Sequence, residues 1–230
     1  MLRCVVMKPY APRGTGFRVP QSPSSLCFTV PSIDVPASVT IHRGVLLAPP
    51  SGNRITEPPP GSWRCFAETG PKDRRQIQAI AARFGPLTQT GSTTGEDLTL
   101  WSALIEDLGA LAGGWTKDGE IADPVAHGAA WATATRIQIR LVEEHQGRGE
   151  RFVSYGAGGI GIVTRDMDQW WRLTALNAVW EGYPLRRCRW CGLWFSLKHQ
   201  RSDQQFGAPR CRSAFYQERI PPNRPWAELI

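Results

Sequence analysis

The distribution of proline constrains this 230-residue chain more than any other feature. Eleven of the nineteen prolines lie within the first sixty residues, which end in EPPP. Proline has no backbone N–H to donate and cannot continue a helix, so this region cannot be mainly helical. We therefore expect residues 1–62 to be a Pro-rich, partly extended N-terminal region, with SVTIHRGVLL (38–47) as its candidate strand. A start site placed too far upstream would also explain this composition.

The next three segments carry apolar residues at helical spacing, and each has a helix-boundary signal. The first, PKDRRQIQAIAARFG, ends at Gly85. In the second, TTGEDLTLWSALIEDLGALAGG, Thr93 and Glu96 have the spacing of a capping box. In the third, ADPVAHGAAWATATRIQIRLVEEHQG, we expect Asp123 as the N-cap and Pro124 as the first helical residue.

A glycine-rich segment follows these helices. RFVSYGAGGIGIVTRD contains GxGxxG at Gly156, Gly158 and Gly161. A dinucleotide fingerprint needs a helix that begins inside the motif, but the residues that follow it resemble a strand. We therefore predict a β-hairpin near residues 151–164. The following segment, RDMDQWWRLTALNAVWEG (165–182), is apolar around much of its circumference, which predicts a central, buried helix.

These elements predict a mainly α fold with a small β-hairpin, in the α+β class. The expected organisation is a helical domain over residues 63–183, followed by a small zinc-ribbon-like basic module over residues 184–222.

The C-terminal segment CRWCGLWFSLKHQRSDQQFGAPRCR (188–212) has metal-ligand spacing. Cys188 and Cys191 form a C-x-x-C pair followed by Gly192, and Cys211 is a third thiol. A structural zinc site is closed by four Cys or His ligands. His199 is one candidate for the fourth ligand, and water or another chain is a second. The third alternative is that metal has been lost and aromatic packing holds the module together.

Positive charge is concentrated in the same segment. Between Pro184 and Arg224, nine basic residues face two acidic ones, and this surplus of seven equals the net charge of the whole chain. A local positive field indicates an anionic partner, although many short basic runs are only solvated surface. The basic residues expected to contact nucleic acid are Arg186, Arg187, Arg189, Lys198, Arg201, Arg210, Arg212 and Arg219.

The segment RSAFYQER predicts a short helix that begins near Pro209. Arg212, Phe215, Tyr216 and Arg219 would share one face, where arginine grips phosphate and exposed aromatic rings stack on bases. For Phe215 we favour packing on the cysteine turn, because so small a module needs every apolar group it has.

The pattern Cx2CGxxF…RxDxxF…xxxCR, followed by a basic, aromatic helix, resembles bacterial zinc-ribbon proteins of the CGNR zinc-finger type. Their wider group joins a helical ABATE-like domain to a C-terminal zinc finger. The resemblance is tight over residues 184–219. It implies that Cys188, Cys191 and Cys211 are zinc ligands, and that Gly207 stands where the family has its remaining cysteine. The CGNR tetrapeptide itself is absent.

The resemblance also implies a role in the regulation of transcription. The sequence therefore predicts a cytoplasmic, zinc-ribbon nucleic-acid-binding protein with zinc at Cys188, Cys191, His199 and Cys211. DNA is favoured over RNA as the partner, and a homodimer is left open. We expect no membrane association, because no stretch approaches the roughly 20 apolar residues of a membrane helix and no signal peptide is evident.

Two other classes of function are weighed against this one. A protein-interaction module with a degenerate or metal-free ribbon would dock on a partner through Trp190, Trp194 and Phe195. An enzyme would need an assembled catalytic motif, but the four histidines are scattered. We therefore expect no enzymatic activity.

Overall fold

The computed structural model describes residues 27–29, 34–54, 61–88, 95–146, 153–155, 159–164, 166–197 and 201–217. Within these residues the chain forms six α-helices and four small sheets, and the predicted α+β fold is confirmed. The helices are α1 (Arg64–Ala67), α2 (Arg74–Phe84), α3 (Leu98–Ala112), α4 (Pro124–Gln146), α5 (Met167–Glu181) and α6 (Pro209–Gln217). The strands are β1 (Cys27–Thr29), β2 (Asp34–Pro36), β3 (Thr40–His42), β4 (Val45–Leu47), β5 (Pro50–Arg54), β6 (Glu96–Asp97), β7 (Val153–Tyr155), β8 (Gly159–Val163), β9 (Leu185–Arg187) and β10 (Trp194–Ser196).

Side-chain caps set where the helices begin. The start of α4 is as predicted, because Asp123 accepts a hydrogen bond from the Ala126 N–H at 2.9 Å. The capping-box prediction for α3 is wrong. Its N-cap is Asp97, which accepts from the Thr99 N–H at 2.8 Å, so Glu96 precedes the helix instead of standing in its first turn.

Glu96 is instead a buried anchor between α2 and α3. Its carboxylate accepts hydrogen bonds from the Leu87 N–H, the Thr88 hydroxyl and the Trp101 indole, each at 2.9 Å. A buried carboxylate is tolerated when its oxygens are fully hydrogen-bonded in this way. Glu96 therefore ties the end of the α2 loop to the first turn of α3.

The strands form small, separate sheets. The strands β7 and β8 pair antiparallel, as predicted for the glycine-rich segment, and Gly159 begins a strand rather than a helix. The strand β1 adds to this hairpin in parallel, with Cys27 opposite Gly161. In the N-terminal region β2 pairs with β5, and the single strand predicted over 38–47 is instead a hairpin of β3 and β4. The strand β6, which precedes α3, pairs with β4 and completes a three-stranded antiparallel sheet.

Aromatic rings fill the centre of the main core. Phe66 lies 4.7 Å from Trp171 and 6.2 Å from Trp101 between ring centroids, and Phe84 contacts Trp171 at 5.1 Å. The helix α5 is buried around much of its circumference, as predicted, because eight of its fifteen residues are buried and only Trp180, at 42%, is exposed.

The main core extends beyond the helical segment on both sides. It includes Leu46 from β4, and also Leu185, Leu193 and Trp194 from the C-terminal segment. The N-terminal strands and the C-terminal module therefore pack on the same core as the helices. The division into three folding units stays a prediction.

Candidate metal centre and basic surface

A tight hairpin positions the first two cysteines. The strands β9 and β10 pair antiparallel, with Arg187 opposite Trp194. The turn between them is closed by hydrogen bonds from the Cys188 N–H to the Leu193 carbonyl at 2.8 Å and from the Gly192 N–H to the Cys188 carbonyl at 2.9 Å. Gly192 has φ of +71°, the left-handed conformation that glycine adopts without steric cost.

The third cysteine arrives on α6, which begins at Pro209 as predicted. The Sγ atoms of Cys188, Cys191 and Cys211 all lie within 4.8 Å of one another, and those of Cys191 and Cys211 are 3.9 Å apart. Two thiolates bound to one tetrahedral zinc at about 2.3 Å stand roughly 3.8 Å apart. All three cysteines are free thiols. They lie close enough together to hold a metal ion.

Hydrogen bonds distribute the charge of this cluster unevenly. The Cys191 thiol donates to Cys188, and the N–H groups of Cys191, Gly207 and Trp190 add to this, so the pKa of Cys188 falls to about 5. The same bond raises the pKa of Cys191, while burial and the neighbouring Cys188 charge raise the pKa of Cys211. These shifts make Cys188 the most readily ionised of the three cysteines, and a divalent metal would displace protons from Cys191 and Cys211.

The position of Gly207, where the resemblance would place a further cysteine, is sterically tight. A Cβ atom at Gly207 would lie 3.1–3.3 Å from side-chain atoms of Phe195, so that ring would have to move to admit a cysteine. A cleft of about 310 Å³ adjoins the three thiols, and Arg83 and Arg210 are among its lining residues. The predicted fourth ligand, His199, lies outside the described residues.

The module has only a small apolar core of its own. Cys188, Cys211, Phe195 and Phe206 are its buried members. The predicted packing of Phe215 is confirmed, because its ring lies 5.2 Å from Phe206 and meets that of Trp190 edge-on at 6.3 Å.

A carboxylate on the helical side anchors the module to the main core. Glu68, the residue after α1, accepts hydrogen bonds from the Arg187 guanidinium at 2.6 Å and from the Trp194 indole at 3.1 Å. Arg64 of α1 is 4% exposed and lies over the Trp194 ring at 4.1 Å. It donates to the Thr116 carbonyl, and burial lowers its pKa. Sequence reasoning missed both Arg64 and Glu68, since nothing local distinguishes them from surface charges.

Three of the arginines predicted to bind nucleic acid make contacts within the protein, and their role in binding nucleic acid stays a prediction. Arg186 donates to the Ser202 carbonyl at 2.6 Å, and Arg187 pairs with Glu68. Arg189 donates to the Gln205 side chain at 3.0 Å, and its guanidinium lies 4.7 Å from the centroid of the Phe215 ring. Of these three, Arg189 is exposed, while Arg186 and Arg187 are partly buried.

The remaining predicted arginines form a smaller exposed surface. Arg201 pairs at 3.2 Å with Asp203, and both side chains are mostly exposed. Arg210 and Arg212 are exposed on α6, and neither has an ion pair within the part of the chain that the structure describes. Lys198 and Arg219 lie outside the described residues. We call Arg201, Arg210 and Arg212 the arginine surface.

Comparisons with family models, curated proteins and solved structures gave no match for this chain. The resemblance to CGNR-type proteins therefore stays a hypothesis drawn from the spacing of the motif. Among the described helices, none is both long and apolar enough to cross a membrane.

Proposed function

We propose that this chain is a zinc-ribbon protein that binds nucleic acid, with DNA favoured over RNA, and that it regulates transcription. The observation that carries this proposal is the placement of an exposed arginine surface on the same small module as the cysteine cluster. Zinc is the proposed metal, because three cysteine Sγ atoms that all lie within 4.8 Å of one another suit the thiolate ligands of a tetrahedral zinc site.

The helix α6 carries part of both the cysteine cluster and the arginine surface. Cys211 is the third residue of this helix, and it lies between Arg210 and Arg212. A metal bound to Cys211 would fix the start of α6, and the two arginines with it. The phosphate contacts would then depend on metal, even though no arginine is itself a ligand.

The alternative of a protein-interaction module expected an exposed aromatic surface on the ribbon, formed by Trp190, Trp194 and Phe195. Trp194 and Phe195 are 2% and 3% exposed, and Trp190 packs against Phe215. A different aromatic surface favours a protein partner as the second candidate, because Trp131 of α4 and Trp180 of α5 are 37% and 42% exposed. A homodimer formed there would be detected by sedimentation velocity, and Trp131→Gln would return it to a monomer.

Salt dependence tests the nucleic-acid proposal. Each phosphate that an arginine neutralises releases counterions, so affinity should fall steeply between about 50 and 200 mM salt. Replacing Arg210 and Arg212 by Gln should lower the magnitude of the slope of log K against log salt by about two. Fluorescence anisotropy with a labelled oligonucleotide measures this slope.

The matched control replaces Arg74 and Arg75 by Gln, because these exposed residues of α2 have the same charge and lie on the helical side. This control should leave the slope unchanged. Binding that is indifferent to salt, or an equal loss in the control, would contradict phosphate contact through the arginine surface.

A further inference from the structure

We infer that the module takes single-stranded nucleic acid and holds one unpaired base in a cleft against the face of Tyr216. This inference rests on the proposed function and names the form of nucleic acid that the site takes. It is carried by a second cleft, which is separate from the one beside the cysteines.

The cleft lies between the 201–206 segment and the beginning of α6. Its volume is about 470 Å³, and its lining includes Arg201, Asp203, Gln204, Arg212 and Tyr216. Small-molecule sites have volumes of about 300–1,000 Å³, so a single base and its sugar are within range.

Tyr216 is placed as a stacking platform. It is 67% exposed, whereas Trp194, Phe195 and Phe206 of the same module are each less than 9% exposed. The Tyr216 ring is supported edge-on by Phe215 at 5.4 Å and lies 6.2 Å from Phe206. A supported ring with exposed surface suits a flat base, because base–aromatic stacking requires only a π face.

The charges around the cleft favour a base inside it and a phosphate at its edge. Arg212 lies four residues before Tyr216 on α6, which places both on one helix face. Asp203 also lines the cleft, and its carboxylate would repel a phosphate while accepting hydrogen bonds from the amino group of a base. Arg212 is exposed and can take the neighbouring phosphate.

Duplex nucleic acid cannot use such a cleft without being opened. Its bases are stacked on one another and paired, so their faces are covered. An unpaired base has two exposed faces and a free pairing edge. A cleft that combines a stacking ring with a carboxylate and an amide therefore selects single strands over duplexes.

The test uses the full-length parent chain and three labelled probes of equal length. These are a mixed-sequence DNA strand, the same strand as a duplex, and an abasic strand that keeps every phosphate. We expect the parent to bind the single strand about tenfold more tightly than the abasic strand. Tyr216→Ala should weaken single-strand binding by about tenfold without changing abasic binding, and Tyr216→Phe should restore it.

The outcomes separate this inference from the function on which it rests. If the parent binds the single strand and the abasic strand equally, the base cleft is wrong, while salt-dependent binding would still support the arginine surface. This comparison needs no variant, so it decides the matter even if Tyr216→Ala fails to fold. If the parent binds none of the probes, the proposed function and the inference both fail.

Discussion

The helical part and the C-terminal module of this chain are stabilised in different ways. The main core contains many large buried side chains, including Trp63, Trp101 and Trp171 at 0–1% exposure. The module's own buried cluster consists of two phenylalanines and two cysteines. Burial of apolar surface stabilises the first region, whereas the second has too little apolar surface to fold on its own account.

This difference indicates what the module depends on. One support is the thiol cluster, where a bound metal would add stabilisation that apolar burial cannot supply. The other is the contact with α1, where Glu68 joins Arg187 and Trp194. Most of the buried residues of the main core come from outside the module, which contributes Leu185, Leu193 and Trp194. Perturbations of the two supports should therefore change the module selectively.

The largest expected effect comes from removing a thiol of the cluster. Metal binding to a ribbon of this kind contributes on the order of 10 kcal/mol, so Cys188→Ser should unfold the module and leave the helices folded. Hydrogen exchange would show the main loss of protection over residues 185–217, with a smaller loss where Leu185, Leu193 and Trp194 pack in the main core.

Cys65→Ser is the matched control for this experiment. Cys65 is also a buried free thiol, at 1% exposure, but it lies in α1 and is not one of the three clustered cysteines. Its replacement should cost only about 1 kcal/mol and should not release metal. If both variants lost hydrogen-exchange protection over the module to the same extent, these buried thiols would stabilise the module only through packing.

A smaller effect is expected at the contact with α1. Glu68→Gln removes the ion pair with Arg187 but keeps an acceptor for the Trp194 indole. Since the Arg187 side chain is 37% exposed, solvent screening limits the loss to about 1 kcal/mol. Hydrogen exchange of β9 and β10 should become faster while metal content stays the same.

Asp203→Asn provides the comparison for Glu68→Gln, because it breaks an ion pair whose two side chains are 86% and 69% exposed. This change should leave the exchange of β9 and β10 unaltered. If both variants behaved alike, Glu68 would not be an anchor.

The last effect concerns protons and applies to the metal-free chain. Because Cys188 has a folded pKa of about 5, below its ordinary 9.0, its contribution to the stability of the metal-free chain is complete above pH 9 and disappears as pH falls through about 5. The raised pKa values of Cys191 and Cys211 act in the opposite sense, and their contribution is lost as pH rises beyond 9.

At pH 7 these pKa values determine how many protons a metal displaces. Binding at all three cysteines should release the two protons of Cys191 and Cys211, because Cys188 is already ionised. Calorimetry in buffers of different ionisation enthalpy counts these protons. Release of three would show that Cys188 is protonated in the folded chain.

Much of the fold could be predicted from local patterns. The apolar stripe Ile77, Ile80, Ala81 and Phe84 of α2 is buried as its spacing indicates. Pairings between distant segments could not be predicted in this way. The parallel contact of β1 with β8 and the bond from Trp194 to Glu68 join residues more than a hundred positions apart. The pattern of apolar residues within one segment does not identify the distant segment that it contacts.

The candidate site likewise has features that could be predicted from local motifs and features that could not. The turn at Cys188–Cys191 and the start of α6 follow from short motifs, and the structure brings all three cysteines together. The contacts of Arg186, Arg187 and Arg189 within the protein did not follow, because a charge count cannot show which protein groups an arginine side chain contacts. The spacing of Thr93 and Glu96 fits a capping box at the start of α3, but the actual hydrogen-bond partners of Glu96 depend on tertiary packing.

The most direct measurement is the metal content of the purified chain, beside that of Cys188→Ser and His199→Ala. We expect one zinc ion per chain in the parent and none in Cys188→Ser, with loss in His199→Ala if that residue is the fourth ligand. A folded parent chain without metal would contradict the account, because the module would then be held by packing and by its contact with α1 alone.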